Sequence, residues 1–315
     1  MNPFSQLVAP RYPSAAVGIE SSDATVVHLD YRRREGFVLR RAATLALSPG
    51  LVTPGYDEPN IQDANALAQA LNDVALGAGL GRQQKWSVAL PEAATRTQII
   101  TLESVPASRS ELEEVLRWKI ERGFGARLEQ LRVSRDKLTP DAQGRARYII
   151  TGIHLDVLEE YEAVFAALGW RTGLILPRHM GEARWLVRSS AVGDALLLSS
   201  HADGFTALLV RNRQPLIMRS ILCEDADRDD ELYRLLLFYR DRLAPAGAAP
   251  ASSLQTLLVI GDGFDKQRVS ESIAETLDTS LRALGPADVG LRLPSNDLSF
   301  DAIAAPAGLA ALAWK

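Results

Sequence analysis

One order of elements, three strands, a helix and a strand, occurs twice in this chain, and that repetition limits its fold more than any single motif does. In the first half, Ala15–Glu20, Thr25–Tyr31 and Gly36–Leu45 read as consecutive strands rich in Val, Ile, Leu and Thr. Proline and glycine punctuate "LSPGLVTPGYDEPN". Ile61, Ala64, Leu67, Ala68, Leu71, Val74 and Ala75 then recur at helical spacing up to Gly77 and Gly79, and "KWSVALP" is a short buried strand. In the second half, Ala195–Ser200, Phe205–Arg211 and Leu216–Leu222 are strands. The helix "DRDDELYRLLLFYRDRL" follows, with acids first and bases last, as the helix dipole favours. "SLQTLLVIGDG" is a strand ending at glycines, and the helix "DKQRVSESIAETLDTSL" completes βββαβα.

Between the halves lies a block that belongs to neither. "TRTQIITLE", "LRVSRDKL" and "RARYIITGIHL" read as strands and "SRSELEEVLRWKIERGF" as a helix whose Ser108 and Glu111 have capping-box spacing. "DVLEEYEAVFAALGW" closes the block as a second helix. The expected division is a first α/β lobe at 1–94 and 170–192, an inserted α+β subdomain at 95–169, and a second lobe at 193–315.

The formal net charge of −4 argues against a nucleic-acid binder. The single cysteine, Cys223, allows no internal disulfide and suits a reducing compartment. No apolar run reaches the roughly 18–20 residues of a membrane span, and "MNPFSQLVAPRYPS" does not read as a signal peptide. These features describe a cytoplasmic protein that meets a membrane only through partners.

Signs of catalysis are few. His28, His154, His179 and His201 are scattered and form no metal-binding pattern. There is no lysine-bearing phosphate loop and no G-x-S-x-G elbow. Glu111, Glu113 and Glu114 sit at a helix start, where the dipole accounts for them. The basic run "DYRRREGF" reads as a solvated hairpin, with contact to an acidic partner or anionic lipid as the alternative. Trp118 reads as half core, yet together with Arg122 and Phe124 it has the composition of a peptide-binding groove.

The duplicated lobes with an inserted subdomain resemble the actin-like, ribonuclease H-like superfamily, and within it the PilM family of type IV pilus machines, related to the cell-division FtsA proteins. The likeness runs through "VGIESSDATVVHL", "WSVALPEAATRTQIITLESVP", "SELEEVLRWKIERGFGARLEQLRV", "LLVIGDGFDKQRVSESIAETL" and "PAGLAALAWK". Phe124-Gly125-Ala126 stands where the family has Ile-Pro-Phe. In that superfamily, glycine-containing hairpins clasp a nucleotide through backbone N–H groups. The resemblance puts Glu20, Ser21 and Ser22 in a first such hairpin, Ser200, Asp203 and Gly204 in a second, and Gly261, Asp262 and Gly263 in a third contact.

The first two hairpins depart from the glycine–acid pattern, which implies weak binding of ATP or ADP with Mg²⁺ at most, and no enzyme activity. What the resemblance implies instead is a cytoplasmic scaffold, peripheral to the inner membrane. It would bind the cytoplasmic N-terminal peptide of a PilN-like membrane protein in a groove between the first lobe and the insert. Pilus motor ATPases and further copies in a homo-oligomeric ring are its other implied partners. The alternatives are an L-type cytoplasmic platform protein of type II secretion and an active ATPase or sugar kinase of the superfamily.

Overall fold

The computed structural model describes residues 11–104, 106–189, 193–243, 254–294 and 298–314. Residues 1–10 and 190–192 of the expected first lobe, and 244–253, 295–297 and 315 of the second, lie outside the described residues.

β1 (Ala15–Ile19), β2 (Asp23–Arg32) and β3 (Gly36–Ala46) form an antiparallel meander. β4 (Lys85–Leu90) lies parallel to β1, and β8 (Arg171–Pro177) parallel to β4. The sheet order is β13-β3-β2-β1-β4-β8, where β13 is only Leu291–Arg292. Both faces of this sheet are buried. Val17, Ile19 and Val26 face one core, while Ala16, Val27 and Leu29 face another. That is why its strands read as nearly continuous apolar runs.

The outer core is closed by α1 (Ala64–Gly77), whose first turn is capped by Asp63 accepting from the N–H groups of Asn65 and Ala66. Beside it packs α3 (Leu155–Ala167), expected as part of the insert. Its Val157, Leu158, Tyr161 and Phe165 instead share the core of α1 and the first sheet. Glu160 Oε2 accepts from the N–H groups of Asn60 and Ile61 at 2.8 and 3.0 Å, fixing the helix to the first lobe. The expected boundary at 169 is therefore corrected: the separate unit ends with β7 (Arg147–His154).

Within that unit, β5 (Arg96–Thr101), β6 (Leu131–Leu138) and β7 make an antiparallel sheet of order β5-β7-β6. Across it lies α2 (Arg109–Phe124), opened by Ser108 and closed by Gly125 at φ 72°. Glycine takes that left-handed conformation without the strain that a Cβ adds.

The second lobe repeats the first meander. β9 (Asp194–His201), β10 (Gly204–Arg211), β11 (Gln214–Leu222) and β12 (Leu254–Ile260) have the order β11-β10-β9-β12, with β12 parallel to β9. α5 (Arg228–Phe238) and α6 (Lys266–Leu277) cover its outer face through Leu232, Leu236, Val269 and Ile273.

Between the two sheets cross α4 (Arg178–Ser189) and α7 (Phe300–Ala310). Although the chain beyond 193 was expected in the second lobe, α7 packs on β1, β2 and β4, and β13 joins β3. The crossing depends on two glycines, because a Cβ on Gly308 would run into the carbonyl oxygen of Gly181. Trp185 Nε1 donates to Ala304 O at 2.8 Å across the same contact.

Candidate functional site

Three strand ends and the start of α7 open into a cleft of about 580 Å³ between the lobes. The β1–β2 hairpin supplies Glu20, Ser21, Ser22 and Asp23, the end of β9 supplies Ser200 and His201, and the loop after β12 supplies Gly261, Asp262 and Gly263. Seven of the nine residues expected at a nucleotide thus share one cleft. Asp203 and Gly204 do not line it. Asp203 O accepts from Cys223 N–H at 3.1 Å, and a Cβ on Gly204 would strike the backbone of β11 at Ile221. That glycine serves strand packing.

Several polar groups of the cleft are bonded to one another. Gly261 N–H donates to Asp301 Oδ1 at 3.2 Å, and Gly263 N–H donates to Ser200 Oγ at 3.1 Å. Lys266 Nζ is held by both oxygens of Asp301, at 3.0 and 2.9 Å. Arg228 Nη1 donates to Gly263 O at 2.9 Å and also pairs with Asp225. Gly261, at φ 93°, leaves no room for a Cβ beside Ser200, and a Cβ on Gly263 would press on the Arg228 guanidinium and on Ser200.

The floor of the cleft is a buried charge network that sequence reasoning missed. Arg178, at the start of α4, pairs with Glu20 at 3.0 Å and with the fully buried Glu182 at 2.9 Å. Burial pushes the Glu20 carboxyl up to about 7, against the pull of Arg178 and with the help of Glu182. Burial works against the charge of Arg178, but Glu20 and Glu182 outweigh it and drive its pKa up. Next to this triad, His179 Nδ1 lies 2.7 Å from Glu92 Oε2, and Thr206 Oγ1 donates to Glu92 Oε1 at 2.9 Å. Burial opposes ionisation of Glu92, yet His179, His201 and Thr206 prevail and hold it at about 2. Burial also lowers the pKa of His201, whose ring nitrogens have no hydrogen-bond partner among the described residues.

The signal for these residues lay in topology. Glu92 and Arg178 follow the adjacent parallel strands β4 and β8, so they emerge at the same sheet end as Glu20. Among the described residues, no group of His, Cys, Asp and Glu is placed to hold a metal ion.

Two of the hollows beside the insert bear on a peptide. Trp118 is 55% exposed, with the Arg122 guanidinium 5.3 Å from its ring centroid, and it is not among the residues of the insert core. Both line a groove with Leu102, Pro106 and Val115, formed by the insert alone. Phe124 does not reach it. It is buried in the insert core, where its ring fills the space left by Gly152. The second hollow, of about 350 Å³, lies where the insert meets both lobes. Leu176, Met180, Arg184, Leu208, Met218 and Ile149 are among its walls.

No protein-family model and no curated protein sequence matches this chain. In structure it is similar to a chain of a PilM–PilN type IV pilus biogenesis complex, with a TM-score of 0.74 at 18% identity, over 97% of this chain and 100% of that one. It is also similar to the cytoplasmic domain of EpsL, an inner-membrane component of the type II secretion system of Vibrio cholerae. There the TM-score is 0.48 at 13% identity, over 96% and 95% of the two chains. A Bacteroides thetaiotaomicron protein of actin-like ATPase fold gives 0.47 at 13% identity, over 96% and 98%. The fold is actin-like, and the resemblance to PilM read from the sequence holds at the level of fold. Among the described residues no helix is long and apolar enough to cross a membrane.

Proposed function

We propose that this chain is a scaffold of a type IV pilus or related secretion platform, working at the cytoplasmic face of the inner membrane. In this reading it holds the short cytoplasmic tail of a PilN-like membrane protein and does not turn over ATP. The observation that carries it is the end-to-end likeness to a chain of the PilM–PilN complex. The state of the cleft supports the same reading. Backbone N–H groups of its glycine loop already donate to Asp301 and Ser200, and Glu20 is engaged by Arg178. A phosphate or Mg²⁺ would have to displace these partners, so the residues present fit a nucleotide poorly. Contacts with motor ATPases and with further copies in a ring belong to the same proposal.

The seat assigned to the tail is the hollow between insert and lobes, which offers apolar walls from three units of the molecule. A tail that orders on binding loses conformational entropy, so a dissociation constant of about micromolar size is expected. Fluorescence anisotropy with a labelled synthetic tail peptide of the PilN-like protein from the same organism tests it. Absence of saturable binding to the folded protein at high micromolar concentration sinks the reading.

A further inference from the structure

We propose that the junction hollow recognises an extended peptide through an apolar side chain in the chamber and a carboxylate side chain on Arg184. This rests on the reading that a tail docks there, and it adds the chemistry that the tail must carry.

Arg184 is the exception among the enclosed arginines. Arg178 pairs with Glu20 and Glu182, Arg228 with Asp225 and Arg211 with Asp194, while Arg147 donates to the carbonyls of Pro215 and Leu216. Arg184 is half-buried and has no ion pair among the described residues, and its Nε is closed off from solvent without a hydrogen-bond partner there. The charges that act on it are Arg188 and Arg213. Burial first, and then these two cations, lower its pKa. A guanidinium removed from water beside like charges is unfavourable unless an anion joins it. A carboxylate accepting from its fork of N–H groups would supply that anion.

The neighbours of Arg184 determine what else the ligand carries. Met180, Ala183 and Val187 occupy the same stripe of α4 at helical spacing and line the chamber with it. Leu176 of β8, Leu208 of β10 and Met218 of β11 complete an apolar wall. Two methionines there can adapt to an aliphatic side chain of imperfect fit. One acid, Asp136, stands on the insert wall of the hollow, and among the described residues it makes no ion pair with Arg184.

The backbone favours a peptide over a free acyl anion. β8 is the last strand of the six-stranded sheet and, among the described residues, has no strand on its outer side; its Leu174 and Leu176 face the chamber. An open edge offers backbone groups to an extended chain, which a hydrocarbon cannot use.

The test uses the labelled tail peptide, together with versions in which each Asp or Glu is replaced in turn by Asn or Gln. These are titrated against the full chain and against Arg184→Met, Arg184→Lys and Trp118→Ala. One amide replacement and Arg184→Met should each weaken binding about tenfold or more, and the two together no further than either alone. Trp118→Ala, outside the hollow, should bind like the parent. Arg184→Met should also raise the melting temperature of the free protein, because it removes an uncompensated cation. If Arg184→Met binds like the parent, or if the tail binds but every amide version binds equally, this inference falls and tail binding stands. A melting temperature that drops in Arg184→Met also overturns it, since that would reveal a structural partner. Failure of the parent protein to bind any tail removes both readings. Decanoate that displaces nothing at millimolar concentration agrees with a peptide ligand, whereas displacement by decanoate that depends on Arg184 refutes it.

Discussion

A single buried guanidinium joins two carboxylates at the floor of the cleft: Arg178 Nη1 stands 3.0 Å from Glu20, and its Nη2 stands 2.9 Å from Glu182. An internal cation thus faces the hairpin acid. With two carboxylates to one arginine, the triad carries an excess negative charge when both are ionised, and burial favours the protonated form of Glu20.

That proton makes stability depend on pH in a direction opposite to a simple salt bridge. Glu20 titrates near 4.5 when unfolded and about 7 when folded, so between these values the folded chain binds the extra proton. Its contribution is complete below pH 4.5 and is lost as pH rises through 7. The size is at most about 3 kcal/mol, and since 28% of the Glu20 side chain is accessible, the true loss is smaller. Glu92, held at about 2, acts the other way, and its contribution fades only as pH falls below 4.5. The lowered pKa values of His28 and His201 pull the other way in part of this range, so between pH 4.5 and 7.5 the urea midpoint of the parent should fall relative to that of Glu20→Gln as pH rises. Equal slopes in the two proteins would show that Glu20 is not the group involved.

Phe124 and Trp118 lie six residues apart on one helix, yet they should respond to truncation very differently. Phe124→Ala empties the insert core and should cost about 3–5 kcal/mol. Trp118→Ala removes an exposed ring and one stacking arginine, and should cost less than about 1 kcal/mol. Chemical denaturation of both variants measures the difference, and similar losses would contradict the assigned burial.

The same pair shows what was legible in the sequence. Leu116, Ile120 and Phe124 recur every four residues, so the buried stripe of α2 was readable and Trp118 lay off it. Attention to residue type, an aromatic beside an arginine, hid that spacing. The strands of both lobes were legible because their apolar runs are long and bounded by turns. The place of α3 was not, since a periodic apolar face does not say which sheet it covers. Nor was the network of Glu20, Glu92, Arg178 and Thr206, whose members are far apart in sequence and meet only through parallel strand order and lobe closure.

Substitution at glycine should separate the helix crossing from ordinary helix propensity. In Gly308→Ala the new methyl meets the backbone of Gly181, which has no rotamer by which to yield, so a loss of about 1–3 kcal/mol is expected. At Gly77, in the last turn of α1, an added methyl would meet nothing within 4 Å among the described residues, and Gly77→Ala should stabilise by about 0.5–1 kcal/mol. Thermal melts of the two variants should move in opposite directions. A neutral Gly308→Ala would mean that α4 and α7 do not pack this closely.

Nucleotide is the sharpest test of the cleft, because its present occupants can be removed one at a time. With the N–H groups of Gly261 and Gly263 committed to Asp301 and Ser200, an arriving phosphate gains little hydrogen bonding. It also meets the carboxylates of Asp23, Asp225 and Asp262 at the cleft walls. A dissociation constant above about 1 mM is therefore expected for Mg·ATP, so nucleotide at about 1 mM should stabilise the parent by less than about 0.4 kcal/mol. Asp301→Ala frees the N–H of Gly261 and the ammonium of Lys266 together, and takes away a negative charge. Both freed groups converge on the place vacated by the Asp301 carboxylate at the cleft wall, so this variant should bind Mg·ATP more tightly than the parent in calorimetry. Submicromolar binding by the parent, or weaker binding by Asp301→Ala, would show that Asp301 belongs to a working nucleotide site and does not fill an abandoned one.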